Sequence, residues 1–167
     1  MIMKNTLFYS FWTAASLAVF AENSWAVQYR DVIQATRSIL AGRCFENEDS
    51  TRIAFGHLNT ISHQRSEIEV QISFSDGQFA HHREVLTNLS NQVKVEQVID
   101  GKVVGEYLVS VEAPFNVLRL RPAKEASTNF ISRECMYQQQ ERKNVCYFKM
   151  RSDNDVFVSV FKETSCS

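Results

Sequence analysis

Apolar and polar residues keep two rhythms along this chain, and the change falls at Gly42. Before it, Tyr29, Val32, Ile33, Thr36, Ile39 and Leu40 recur at spacings of three and four. That spacing predicts an amphipathic helix over residues 27–41. Arg30, Asp31, Gln34, Arg37 and Ser38 fall on its wet side. Gly42 follows, where a left-handed residue can end a helix.

After Gly42 the period drops toward two. Ile68, Val70, Ile72 and Phe74 alternate with Glu67, Glu69, Gln71 and Ser73, which predicts a half-buried strand over 67–74. Ser75-Asp76-Gly77-Gln78 reads as a turn and 79–84 as its return strand, while 85–92 fits either a loop or a short helical turn. Strands are also predicted over 93–99, 102–111, 116–121, 130–138, 145–150 and 156–162, with Cys44 opening the first one. Short spacings favour hairpin-linked antiparallel pairs. The pattern therefore predicts an all-β fold of about eight or nine strands, a small closed or nearly closed barrel, with a sandwich as the alternative.

Asp100-Gly101 marks the strongest hairpin signal. A three-residue loop, Ile99-Asp100-Gly101 with Gly101 left-handed, would set Lys94 opposite Glu106 and Val93 opposite Tyr107. It gathers Val93, Val95, Val103, Tyr107, Val109 and Val111 on one face, and is the predicted register. A two-residue turn would set Val95 opposite Glu106, mixing that face with charge.

The start of the chain carries a different message. Met1–Asn5 holds one cation, Lys4, and an apolar run of about fifteen residues follows, too short for a membrane span of about twenty. Ser24 and Ala26 then put small residues three back from and directly at a cut after Ala26. This is the pattern of a secretory signal peptide over 1–26, leaving one β domain over 27–167 that is secreted or periplasmic. Both tryptophans, Trp12 and Trp25, lie in the tag. The whole chain has a formal net charge of -1. A near-neutral surface offers no long-range field for nucleic acid, and no second apolar stretch is long enough to anchor the chain after cleavage.

Four cysteines in an exported chain predict two disulfides with three possible connectivities. If a hairpin turns symmetrically at Gln140-Glu141, Cys135 and Cys146 stand directly opposite each other, at a separation a disulfide tolerates. Cys44 and Cys166 then remain, near the start of the first strand and just past the last. They would converge where first and last strands are antiparallel neighbours. Cys44–Cys135 with Cys146–Cys166 is the rival pairing.

Candidate chemistry is sparse. His57, His63, His81 and His82 show no zinc-type spacing with cysteine, and His81 and His82 face opposite ways in a strand. Glu46, Glu48 and Asp49 form an acidic stretch without the EF-hand spacing. Glu67 and Glu69 share a face, which the wet side of a strand explains. No nucleophile elbow or phosphate-cradling glycine loop occurs, so no cofactor and no catalytic residue are assigned. Arg119 and Arg121 share a strand face and could hold an anion, with Arg43 as a third. Phe45, Phe55, Phe74, Phe79, Tyr107, Phe130, Phe148 and Phe157 would either pack the core or line a ligand cavity, since a barrel of about eight strands is near the size that holds one small ligand.

The layout of exported chain, short N-terminal helix and hairpin-linked strands resembles the lipocalin and calycin barrels in architecture. Gly42-Arg43-Cys44-Phe45 stands where lipocalins carry Gly-x-Trp, without the tryptophan, and no ligand or site is carried over. The reading is an exported, non-catalytic binding or interaction domain for a small apolar ligand or a partner protein, with Phe55, Phe74, Tyr107, Arg119 and Arg121 as candidate ligand contacts. The alternatives are an exported hydrolase assembled from His81, His82, Glu84 and the Glu67/Glu69 face, and an inhibitor-type protein presenting the loop 46–51.

Overall fold

The structure is a computed structural model that describes residues 29–112, 117–124 and 130–167. The predicted export tag, residues 1–26, and the first two residues of the predicted helix lie outside them. Helix α1 spans Tyr29–Ile39, with Asp31 in its first turn and Arg37 in its last, each on the favourable side of the helix dipole. Its buried stripe is Val32, Ala35, Thr36 and Ile39. Gly42 follows with φ of 70°, and its amide donates to the Gly56 carbonyl.

Ten strands follow: β1 (Cys44–Glu46), β2 (Arg52–Ser62), β3 (Arg65–Ser73), β4 (Phe79–Asn88), β5 (Val93–Ile99), β6 (Lys102–Glu112), β7 (Val117–Pro122), β8 (Phe130–Gln138), β9 (Lys143–Ser152) and β10 (Asp155–Thr164). Each pairs antiparallel with its sequence neighbours, and β1 closes the ring against β10. This is a closed barrel, not a sandwich.

The count of ten corrects the expected eight or nine. The missed strand is β2, whose period is broken by a bulge between Phe55 and Leu58. β4 also runs on through the ambiguous stretch to Asn88.

The β5–β6 hairpin corrects the predicted register. Its turn has two residues, Asp100 and Gly101, both left-handed (φ 50° and 76°) as a type I′ turn requires, and Ile99 faces Lys102. The bulge lies inside β6 instead of at the turn, so Val95 faces Tyr107 and Glu96 faces Glu106. Val93, Val95, Tyr107 and Val109 still share the buried face, but Val103 is turned outward and is 52% exposed. Gly105 stands next to the bulge because the Tyr107 ring lies over it: a β-carbon there would sit 2.6 Å from the tyrosine hydroxyl.

An up-and-down ring gives the barrel two distinct ends. The β1–β2, β3–β4, β5–β6 and β9–β10 turns gather at one; the β2–β3, β4–β5 and β8–β9 turns gather at the other. Helix α1 crosses the second end. It contacts β2 on one wall and β6, β7 and β8 on the opposite wall, which makes it a plug. Tyr29 donates its hydroxyl to Ser66 Oγ at 2.9 Å, and Arg37 reaches Thr60 Oγ1 at 3.4 Å. Val32, Ile39 and Leu40 of the plug pack into one cluster with Phe45, Ile68, Val70, Val93, Leu120, Cys135 and Cys146.

The two disulfides belong to this plugged half. Cys135 and Cys146 are directly opposed on β8 and β9 and are bonded. Cys44 and Cys166 are bonded where β1 meets β10, with Cα atoms 5.2 Å apart. Two disulfides fit an oxidising compartment.

Candidate functional site

The inward-facing rows of the barrel lead to the site. Along β3, Ser66, Ile68 and Val70 are fully buried, Ile72 is half-buried, and Phe74 beyond the strand end is 42% exposed. Along β10, Phe161 is buried, Ser159 half-buried and Phe157 46% exposed. β4 repeats this from Leu86 and Glu84 through His82 to Ala80, and β9 from Cys146 through Phe148 to Met150. Every one of these rows opens toward the end that the helix leaves uncovered. The inward rows are thus packed at the helix and progressively exposed toward the other end.

One ion pair forms the floor of the open half. Arg133 donates to both carboxylate oxygens of Glu84, at 2.7 and 2.9 Å. Both side chains are almost wholly buried. β4 and β8 lie four strands apart around a ring of ten, so this bidentate pair is a strut across the lumen. The guanidinium also lies 5.4 Å above the Phe55 ring, which is held edge-on by Phe45. Register places Arg133 beside Leu120 and Phe148, and Glu84 beside Ile68 and Gln97.

Three further polar groups flank the strut. His82 Nε2 lies 3.5 Å from Glu84 Oε1 and 3.5 Å from Gln97 Nε2. The Tyr107 hydroxyl donates to Gln97 Oε1 at 3.1 Å. Burial alone would push the Glu84 carboxyl up. The facing Arg133 charge and the hydrogen bonds from His82 and Arg133 outweigh burial and hold it well below the ordinary carboxylate range. Burial raises the Tyr107 phenol, and the Glu84 charge adds to the shift. Glu84 is therefore an anion and Tyr107 a neutral donor.

Around the open mouth the hairpin tips are apolar. Phe79 (80% exposed) extends the β3–β4 tip; Ile99, Val103 and Val104 surround the β5–β6 turn; Val156, Phe157 and Val158 follow the β9–β10 turn. The plugged end exposes fewer large apolar side chains among the described residues, Ile61, Leu89 and Tyr137.

Of the residues singled out in the sequence, Phe55 and Tyr107 lie in the lumen, buried in the core cluster, and Phe74 stands at the mouth. Phe130 and Phe148 are half-buried between core and mouth. Arg119 and Arg121 are elsewhere. Arg119 pairs with Glu112 and Glu134 across the outer wall, and Arg121 is exposed on that same face. The five candidate contacts therefore do not converge on one point. Arg43 pairs with Glu163 near the plugged end, where Asn144 also donates to Glu163. Burial works against that carboxylate, but these bonds lower it.

The histidine–carboxylate set divides across the wall. His82 and Glu84 face inward, whereas His81 pairs with Glu69 and Arg83 with Glu67 outside. His63 lies exposed in the β2–β3 turn, and the exposed His57 lies over Gly42. Glu46 pairs with Arg52, beside an exposed turn that holds Glu48 and Asp49. Among the described residues no group of three or more histidine, cysteine or carboxylate side chains converges as a metal site would require, and no helix is long and apolar enough to cross a membrane.

Sequence reasoning did not single out Arg133. The signal was its position two residues before Cys135: a cation on the face of a cysteine committed to an inner disulfide must itself point inward. A polar cleft of about 1200 Å³ also lies between the helix end and the β8–β9 turn, lined by Arg43, Tyr137, Arg142, Lys143 and Glu163 among others. It is at the plugged end, away from the strut. Comparison with protein families, curated proteins and solved structures finds no match to this chain.

Proposed function

We propose that this protein is an exported, non-catalytic binding barrel whose open mouth admits a small, largely apolar ligand into the half of the lumen above the Glu84–Arg133 strut. The observation that carries the reading is the exposure gradient along the inward rows, from fully buried Ile68 and Val70 to Phe74 at the mouth. A barrel of this size is either filled by its side chains or holds one small guest, and the uncovered end leaves the inward side chains of this half within reach of one. Ile72, Phe130, Phe148 and Met150 would line its apolar body, and His82 and Gln97 would meet a polar group at the floor. Export through a cleaved segment over 1–26 belongs to the same proposal, supported by the two disulfides.

The hydrolase reading has one observation in its favour, the approach of His82 to Glu84. Arg133 weakens it, because a carboxylate held as an anion by a bidentate guanidinium is a poor base. The inhibitor-type reading draws on Val156–Val158, an apolar segment exposed beside the loop 46–51, to which it is tied by the Asn47–Ser159 hydrogen bond.

The test is titration with N-phenyl-1-naphthylamine, an uncharged apolar fluorophore suited to a mature chain without tryptophan. Saturable enhancement at one site per chain is expected. A linear, unsaturable response, or one unchanged after Ile72→Ser and Met150→Ser, overturns the lumen reading.

A further inference from the structure

We infer that the projecting start of β10 is a docking edge for the same strand of a second copy of this chain, the two β10 strands pairing antiparallel about a two-fold axis at Phe157. The inference is independent of the lumen reading above. It rests on unpaired backbone, not on what the barrel holds.

Strand β10 is longer than the strand that closes the ring against it. β9 pairs with it along residues 155–162, but β1 covers only residues 162–164. Among the described residues, no strand therefore lies against residues 155–161 on the side away from β9. The β9–β10 turn has two residues, Asp153 and Asn154, and closes on the Ser152–Asp155 pair. Such a turn makes its closing pair a hydrogen-bonded one, and the ladder then alternates. Asp155, Phe157 and Ser159 thus turn their backbone groups to β9, and Val156 and Val158 turn theirs to the uncovered side. An unpaired row of this kind is a template for another strand.

Two other tips of the same end leave strand uncovered, and both are guarded. β4 has no β5 partner over residues 79–82, and β6 has no β7 partner over residues 102–105. The first stretch carries His81 and His82; the second carries Lys102, Gly105 and the bulge. Charged or polar side chains, glycine and bulges each weaken an exposed edge as a template. The β10 edge has none of them between Asp155 and Ser159. Val156, Phe157 and Val158 are 49%, 46% and 53% exposed, and no bulge interrupts them. The stretch also complements itself. Turned about Phe157, Val156 meets Val158 of the second copy, Phe157 meets Phe157, and Asp155 meets Ser159. No charge faces a like charge, and each Val156–Val158 pair exchanges both of its backbone hydrogen bonds. Pairing about Val158 instead would carry the second strand past Ser159, where Asn47 reaches across to the Ser159 hydroxyl at 3.2 Å.

The test is sedimentation equilibrium of the disulfide-bonded mature protein from about 10 μM to about 1 mM, with amide hydrogen exchange measured at both ends of the range. A contact of about five residues a side is small beside the roughly 1,600 Å² of a stable interface. A weak, reversible dimer with Kd on the order of 100 μM is therefore expected. The Val156 and Val158 amides should exchange fast at the low concentration and severalfold more slowly at the high one. Phe157 and Ser159, already paired with β9, should change little. Val156→Lys combined with Val158→Lys, at half-exposed positions, should leave the circular dichroism unchanged and raise the Kd about tenfold or more. Val103→Lys combined with Val104→Lys places the same charge on the neighbouring tip and should leave the dimer intact. A chain that stays monomeric to the top of the range overturns the inference. So does a dimer that survives the β10 substitutions, one that the β5–β6 substitutions dissolve as readily, or one that forms without slowing Val156 and Val158.

Discussion

The two ends of this barrel are built from the same ten strands and have opposite characters. The plugged end holds the helix, both disulfides and the aliphatic cluster of Val32, Ile39, Leu40 and Ile68. The open end holds none of these. It presents exposed apolar tips, unpaired carboxylates and half-buried inward residues. The Glu84–Arg133 strut marks the boundary. The packed cluster and both disulfides lie where the described residues begin and end, away from the far mouth. The lesson is that one end of an up-and-down barrel can gather the covering helix and the cross-links while the other is left uncovered.

The sharpest way to break this asymmetry is to remove its closing bond. Cys44→Ser with Cys166→Ser releases a loop of 122 residues, which the chain-entropy treatment values at about 5 kcal/mol. Urea unfolding should show a loss of that order, with the plugged end opening first in hydrogen exchange. A loss confined to the open end would contradict the division of labour.

Next comes the strut. Arg133→Met leaves a buried carboxylate alone and should cost about 3–5 kcal/mol, whereas Glu84→Leu combined with Arg133→Met should recover most of it. Urea midpoints decide. The pH dependence follows the sign of the shift. Glu84 is held below its unfolded value, so its contribution is complete above the ordinary carboxylate pKa of about 4.3 and is lost as pH falls further toward the native value. The double variant should show a flatter stability curve between neutral pH and pH 3; an equally steep curve would mean that Glu84 is not its source.

Truncating the plug is expected to matter somewhat less. Leu40→Ala, at a side chain only 1% exposed, should cost about 2–4 kcal/mol while leaving probe affinity at the open mouth within about twofold. The smallest stability effect belongs to the rim. Phe74→Ser and Phe157→Ser, at inward positions 42% and 46% exposed, should each shift stability by less than about 1 kcal/mol, yet together weaken N-phenyl-1-naphthylamine binding severalfold. A large stability loss would make the rim part of the core.

Much of the plugged end was legible from sequence. The helix stripe, the period-two strands and the opposition of Cys135 to Cys146 all follow from local spacing. The Cys44–Cys166 partner follows from the geometry of ring closure. What escaped was set by irregularity. The Phe55–Leu58 bulge hid β2, because one extra residue breaks the alternation by which a strand is read. The bulge in β6 moved Val103 from the inner face to the outer face. The strut escaped for a different reason. Glu84 and Arg133 are 49 residues apart, and only barrel closure brings them face to face. Arg119 and Arg121 looked more suggestive because they are neighbours in sequence, yet alternation carries both to the outer wall. His82 and Glu84 were visible as a pair, but not that Arg133 neutralises the carboxylate.

The central claim, a lumen open at one end and plugged at the other, is tested most directly by methyl NMR of the isotope-labelled mature protein titrated with decanol. Saturable shifts should appear at the Ile72 and Met150 methyls above the strut, while Ile39 and Leu40 in the plug stay still. Shifts at Ile39 and Leu40 with Ile72 and Met150 unmoved, or no saturable shift anywhere, would contradict it.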